Sequence, residues 1–304
     1  MSRIIVAVNK TLDREGKREL DTGLYYLVEP LEEMGHEVYF YDTVDPEEPD
    51  FDKVEASFKP DLIFCCFTGN PYITPHEPWQ SIQRITYQGK VKTFNWFCDD
   101  TWRFDDFSSR ACWFFNKCST PEPAYVKKYE EIGYDNIIVG GWYANKKYYT
   151  PIKYESKDIE LSFVGGLNPH RKEFLSSVDV PVTIAQSLSI TDLFKFYCRS
   201  KIGINLSVNA NDPQKKTQMK GRVFELAAAG STVLTEYHEG LKEFFEFDRE
   251  IVTFKDVEEF KEKVDYLEAH PMEAQQIARR GRERFLKDHE SKIRLSRILE
   301  HING

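Results

Sequence analysis

Two doubly wound α/β domains in tandem are the architecture this sequence predicts, and three features predict it. Short β-branched runs alternate with amphipathic stretches through both halves of the chain. Several of these runs, RIIVAV at 3–8 and DLIFCCF at 61–67 among them, are apolar without interruption, as parallel strands covered on both faces are. The length of 304 residues exceeds the comfortable size of one hydrophobic core. The boundary is expected near 152/153, giving domains 1–152 and 153–304 that face each other across a cleft.

In the first half the strands are expected at 3–8, VYFYD 38–42, DLIFCCF 61–67, VKTFNWF 91–97, WFFNKCST 113–120 and NIIVGG 136–141. Between them, 23–38 reads as a helix ending near Gly35, FDKVEASF as a short helix, and 123–133 as another. The stretch 9–23, NKTLDREGKRELDTG, reads as a long polar loop. In the second half, IELSFVGG 159–166, VPVTIA 180–185, KIGINLSV 201–208, STVLTE 231–236 and REIVTF 249–254 read as strands. The helices between them are HRKEFLSSV, ITDLFKFYCRS, GRVFELAAAG and LKEFFEF, and two further helical stretches run to the end.

Composition narrows the function classes. A formal charge of -9 gives no electrostatic reason to expect a nucleic-acid binder, since phosphate contacts dominate such affinity. From Pro271 onward eight Lys/Arg stand against five acids, which reads as a local basic groove or as a solvated helix face. Six cysteines lie mostly in apolar runs without CxxC spacing, which argues against zinc and a disulfide framework. No window approaches the ~18 apolar residues of a membrane span. The amino terminus enters a β-like run directly, so no signal peptide and a cytoplasmic location are expected.

In a doubly wound sheet, ligands bind outside the carboxyl ends of the strands, so chemistry is expected in the strand-to-helix loops. In FVGGLNPHRKEF, Gly165 and Gly166 follow a strand and precede a helix carrying Arg171 and Lys172. Glycines let a backbone approach a phosphate and a helix N-terminus stabilises its charge, although Gly-Gly also serves as a plain tight turn. The stretch 218-QMKGRVFELAAAGSTVL-234 places Lys220 and Arg222 at the head of an apolar helix, with Glu225 one turn on. The loop 209–221 before it offers backbone N–H groups. This suits a diphosphate and a ribose; an internal Arg222–Glu225 ion pair is the alternative. In 94-FNWFCDDTWRFDDFS-108, Asp99 and Asp100 end a strand, where one can act as base toward a hydroxyl or both can cap the turn and pair with Arg103. Trp79, Trp102 and Trp142 suit sugar stacking or core packing, and His76 suits a base or an orienting group, or is a surface-loop histidine without either role.

An ordered series makes these fragments specific. An Arg-x-Phe-Glu block ending in Ala-x-Gly is followed by a strand, Gly-Leu before an acidic-aromatic helix, a strand ending in Phe254, and a Gly-Arg-x-Arg helix ending near His289. This series, over most of 159–294, resembles the donor domain of group 1 glycosyltransferases of the GT-B architecture, in particular the CgeB-like branch. The resemblance implies transfer of a sugar from a nucleotide-diphospho-sugar, a UDP-sugar first, to an acceptor hydroxyl on a glycan or other molecule. It implies that Glu225 holds the ribose, that Arg222 and Lys220 hold the diphosphate, and that Gly165 and Gly166 admit the donor. Arg171 and Lys172 join the donor set; Asp99, Asp100 and His76 are the catalytic candidates, and Trp79, Trp102, Arg103 and Trp142 the acceptor candidates. No cofactor and no metal are expected, and the outcome leans to retention. Many relatives carry a second glutamate eight positions before the ribose glutamate; position 217 here is Thr217 and 218 is Gln218. The final helix is expected to cross back to the first domain. An epimerase or hydrolase of the same fold, or a non-catalytic nucleotide-sugar or glycan-binding module, fits the same residues.

Overall fold

The computed structural model describes residues 1–14, 17–209, 214 and 216–304, without the side chains of 12–14 and 17–19. The chain forms two compact units, Met1–Gly141 with Ser291–Gly304, and Trp142–Glu290. The sequence boundary at 152/153 lies inside the second unit.

The first unit is built on β1 (Arg3–Val8), β4 (Glu37–Asp42), β5 (Leu62–Cys65), β6 (Lys92–Trp96), β7 (Lys117–Thr120) and β8 (Ile137–Val139), all parallel, in the order β4-β1-β5-β6-β7-β8. Ile4 to Ala7 and Ile63 to Cys65 are inaccessible to solvent, which is why their sequences lack polar alternation. Between β1 and β4, β2 (Thr11–Arg14) and β3 (Lys17–Leu20) pair antiparallel, so the stretch expected to be a polar loop contains a two-stranded ribbon.

Three further expectations shift. The 113–120 run is a strand only from Lys117, because Asn116 Oδ1 accepts from Thr93 N (2.9 Å) and closes the ladder there, leaving Cys112–Phe114 as a helical turn. The 61–67 run leaves the sheet after Cys65, where Phe67 N donates to the side chain of Asn95 (2.9 Å). The 241–247 helix is only a short turn, Glu239–Glu243.

The second unit repeats the plan with β9 (Ile159–Val164), β10 (Thr183–Ala185), β11 (Ser200–Asn205), β12 (Thr232–Glu236) and β13 (Val252–Phe254), parallel in the order β10-β9-β11-β12-β13. Phe174, Phe254 and Phe260 pack ring on ring under this sheet at 5.0–5.4 Å between centroids, each burial contributing about 1.5–3 kcal/mol. The helix Gly221–Ala228 lies so close to β11 that a side chain at Gly203 would collide with Leu226. In both sheets the second strand pairs outside the first and the third on its other side. The strand order therefore reverses between β1 and β5 in one unit and between β9 and β11 in the other.

Three helices, not two, end the chain: Val257–Ala269, Pro271–Arg284 and Ser291–Asn303, separated by Pro271 and the turn Phe285–His289. The last belongs to the first unit, where Lys92 Nζ donates to Asn303 Oδ1 (3.1 Å), Lys117 Nζ to the His301 carbonyl (2.7 Å), and Lys292 pairs with Glu33 (2.6 Å). Much of the basic character of 271–297 is internally matched, Arg279 by Glu283 and Arg284 by Asp288 and Glu250.

Candidate functional site

The reversal point of the second sheet gathers the basic residues singled out in the sequence. β9 ends at Val164, and Gly165 follows with φ +141°, a conformation open to glycine and strained for other residues. A Cβ there would stand 2.7 Å from Arg222 Nη2 and 3.6 Å from Arg171 Nη1, so the glycine makes room for two guanidinium groups. Asn168 caps the next helix, Pro169–Ser177, by accepting from Arg171 N (2.9 Å), and Pro169 opens its first turn. That cap fixes Arg171 at the helix start, where its Nη1 donates to the Gly166 carbonyl (2.8 Å).

Arg222 reaches the same place from the other side. It sits in the first turn of Gly221–Ala228 and its Nη1 donates to Asn205 Oδ1 at the end of β11 (3.1 Å). Both guanidinium groups lie over the Phe163 ring, Arg222 at 4.9 Å and Arg171 at 5.7 Å. Burial and the neighbouring Arg222 charge push Arg171 down to about 10. Each Nε is buried without a hydrogen-bond partner; Arg171 feels the Glu236 carboxylate, and Arg222 shares the Tyr197 hydroxyl with Glu225. Two cations held side by side with unused donors can take up an anion in electrostatic terms.

The surroundings refine it. Glu225 is buried one turn beyond Arg222, beside Tyr197, whose hydroxyl is raised by burial and by that carboxylate. Lys220 stands at the N-cap position of the helix, while Lys172 is exposed on the other helix. The loop 209–221 lies partly outside the described residues, at 210–213 and 215, and its end is held by hydrogen bonds. Thr217 Oγ1 contacts His238 Nδ1 (3.1 Å), Gln218 Oε1 accepts from Asn209 Nδ2 (3.0 Å), and Trp142 Nε1 donates to the Met219 carbonyl (3.1 Å). The Trp142 ring covers Gly221, where an added Cβ would meet it at 3.3 Å.

Sequence reasoning missed two polar residues of this site. Glu236, at the end of β12, accepts from Val208 N (3.0 Å) and Ser207 N, and its other oxygen meets His170 Nε2 at 3.2 Å. Asn205 donates to Ser207 Oγ (2.9 Å) and Thr235 Oγ1 (2.8 Å) while accepting from Arg222. Each is a polar residue closing an apolar strand, a signal visible in KIGIN and TVLTE but shared with ordinary strand ends.

In the first unit the catalytic and acceptor candidates separate. Asp99 is half-buried at the head of Asp100–Arg103 and lines a small cavity with Cys66, Thr68, Cys98 and Arg103. Asp100 is fully buried, accepts from Tyr129 Oη (3.0 Å), and is pushed up to about 6 by burial against the pull of Ser108, Thr120 and Tyr129. Arg103 stacks on Phe107 (4.4 Å) and Trp102 (5.5 Å). His76 is exposed, with its backbone N bound to the Thr43 carbonyl (3.0 Å). Trp79 packs among Phe67, Phe107, Phe114 and Phe115, and its Nε1 donates to Glu77 (3.0 Å). A cavity of about 650 Å³ beside Glu160, Lys201 and Met272 lies at the amino ends of β9 and β11, the end remote from the reversal-point loops.

Comparison with known proteins agrees with this layout. Residues 150–300 match the family described as Glycosyl transferase-like. No curated protein matches the sequence. Among solved structures, sucrose-phosphate synthase from Thermosynechococcus elongatus superposes with a TM-score of 0.69 at 12% identity, over 99% of both chains. A glycosyltransferase from Rickettsia africae ESF-5 gives 0.67 at 12%, over 99% of this chain and 97% of the other. Anabaena HepE in complex with UDP-glucose gives 0.65 at 12%, over 100% of both. Such identities establish the shared fold, two parallel α/β sheets of the GT-B type. On the family match and that fold together, the protein is a glycosyltransferase of GT-B architecture whose family-defining segment is residues 150–300.

Proposed function

We propose that the chain transfers a sugar from a UDP-sugar to an acceptor hydroxyl, and that the Arg171–Arg222 pair binds the donor's diphosphate. The observation that carries this reading is the pair itself: two adjacent guanidinium groups, each with a buried Nε donor left unused, at the reversal point of the second sheet. Lys220 adds charge at the helix start, Glu225 accepts from the ribose hydroxyls, and Gly165 and Gly166 admit the phosphates. As the glycosidic bond to the diphosphate breaks, these cations stabilise the leaving group, the part a divalent ion would otherwise play. We therefore propose metal-independent transfer. The similar fold of HepE is seen with UDP-glucose and that of a T4 phage enzyme with UDP and Mn2+, which supports UDP as the first donor to test.

On the acceptor side we assign Asp99, half-buried beside Arg103, as the group that orients or deprotonates the hydroxyl. Asp100 has no surface to offer a substrate, and we give it the positioning of that turn. Trp102 and Trp142 remain acceptor candidates, and we place the chain in the CgeB-like branch with retention of configuration on the resemblance of its Arg222–Gly230 block.

A thermal-shift series with UDP-, GDP-, ADP-, CMP- and dTDP-sugars tests the donor, because a ligand of the native state raises its stability. UDP-sugars are expected to raise the midpoint in the wild type and not in Arg222→Ala. No shift with any nucleotide overturns the donor site. Proton NMR of the first product separates transfer with retention from inversion, and donor loss without acceptor identifies a hydrolase.

A further inference from the structure

Two of the six cysteines differ from the rest in environment. Cys65, Cys112, Cys118 and Cys198 are buried, whereas Cys66 and Cys98 are half-buried, and their sulfurs stand 3.3 Å apart. They are distant in sequence and meet because β5 and β6 are neighbours in register, Cys65 opposite Asn95, and both chains leave the sheet at this level. The geometry is held from several sides. Cys66 N donates to the Ala7 carbonyl (3.2 Å), Phe67 N to Asn95 Oδ1 (2.9 Å), and Phe97 N to the Ser119 carbonyl (2.9 Å). The two thiols thus face each other on a rigid frame, at the carboxyl end of the first sheet beside its reversal point. They line the same small cavity as Thr68, Asp99 and Arg103.

We propose that Cys66 and Cys98 are a peroxide-responsive thiol pair that closes to a reversible disulfide across the ends of β5 and β6. A bonded pair lies at about 2.05 Å, so a closure of about 1.2 Å is needed from the observed separation. The reaction balances in two steps. The Cys66 sulfur attacks the peroxide O–O bond and becomes a sulfenic acid, releasing the alcohol or water; the Cys98 sulfur then displaces its hydroxyl, forming the S–S bond and a water. Cys66 is assigned the first attack because the hydrogen bond with Cys66 and burial keep the Cys98 thiol protonated; in the second step the Cys98 proton passes to the departing hydroxyl, which leaves as the water. A dithiol reductant reverses the change by thiol–disulfide exchange. The bond would staple the loop after β5 to the turn that carries Asp99 and Arg103. Its effect on transfer rests on the function proposed above; the covalent change does not.

The test is differential alkylation with peptide mass mapping on the full-length protein, before and after hydrogen peroxide and after dithiothreitol. Expected is loss of label at Cys66 and Cys98 alone, a Cys66–Cys98 linked peptide lighter by two hydrogens, and full recovery on reduction. Cys66→Ser and Cys98→Ser should each abolish the linked peptide while circular dichroism stays native, with Cys66→Ala and Cys98→Ala as second variants if serine disturbs folding. Labels retained at both sites, unlinked sulfinic or sulfonic acids, or a wild-type disulfide that joins Cys66 or Cys98 to another cysteine overturns the pair. Transfer rate and UDP thermal shift are read on the same samples. A slowed transfer with an unchanged nucleotide shift ties the staple to the acceptor side; a confirmed disulfide with no nucleotide shift in either state leaves the thiol pair standing and sinks the donor reading.

Discussion

Arg222 and Asp100 mark two opposite uses of a buried charge. Arg222 and its neighbour Arg171 each keep a buried Nε donor without a partner, which is costly unless an anion completes it. A charge-assisted hydrogen bond contributes about 1.5–3 kcal/mol, so Arg222→Ala is expected to weaken UDP binding by roughly ten- to a hundredfold. Isothermal titration checks this, and Arg222→Lys, which keeps the charge but loses the planar fork, should recover only part of the loss. Asp100 is a carboxyl kept away from water, with a folded-state value of about 6 against 3.8 unperturbed. Between those values the native state binds more protons than the unfolded one, so this group's contribution to stability falls as pH rises through the window. The shift corresponds to on the order of 3 kcal/mol. Asp100→Asn keeps an acceptor for Tyr129 and removes the titration. Its stability relative to wild type should therefore rise between about pH 4 and about pH 7, by up to about that amount, as urea unfolding at the two values would show. Neither residue's environment is visible in the string FNWFCDDTWRF or KGRVFEL, where Asp99 and Asp100 look alike and Arg222 pairs naturally with Glu225.

At the scale of elements, the site depends on how closely two segments approach β9 and β11. The glycine at 165 leaves space filled by Arg222, and its positive φ disfavours any side chain. Gly165→Ala is expected to displace the Arg222 guanidinium and weaken nucleotide binding, with stability reduced by about 1–3 kcal/mol for backbone strain; titration and thermal unfolding separate the two effects. Gly203 acts differently, since there Leu226 of the helix Gly221–Ala228 fills the space against the strand. Gly203→Ala should cost about 1–3 kcal/mol by overpacking, seen as a lower urea midpoint. The small residues 227–229 are buried completely, and the close approach of their helix to β11 needs the sheet glycine as well. Strand positions were legible because parallel strands are apolar throughout. Strand ends were not, because Asn116 and Asn95 terminate ladders through side-chain bonds that only neighbouring strands supply.

For the molecule as a whole, the last helix belongs to the unit that begins the chain. Lys92, Lys117 and Lys292 bond Asn303, the His301 carbonyl and Glu33 within that unit, and Ile298 and Ile302 are buried. Deleting 291–304 is expected to lower the stability of the first unit and leave nucleotide binding by Trp142–Glu290 in place; a two-transition calorimetric trace with only the first-unit transition lowered would show it. Lys157 illustrates the same dependence on tertiary context. It lies in the Lys- and Tyr-rich stretch 146–158 yet is buried, with Nζ donating to the Ser200 and Ala229 carbonyls and Ser231 Oγ at 2.9–3.3 Å, and burial pushes it down to about 8.

Local pattern therefore determined the strand and helix alternation, the doubly wound class, and the ordered block from Arg222 to His289 that marks a glycosyltransferase, because periodicity and motif order are properties of the chain itself. Tertiary structure alone decided which charges share a site. The meeting of Arg171 with Arg222, the enlistment of Asn205 and Glu236, the withdrawal of Asp100 from solvent and the facing of Cys66 and Cys98 all follow from strand order. Residues far apart in sequence become neighbours where adjacent parallel strands end at the same level.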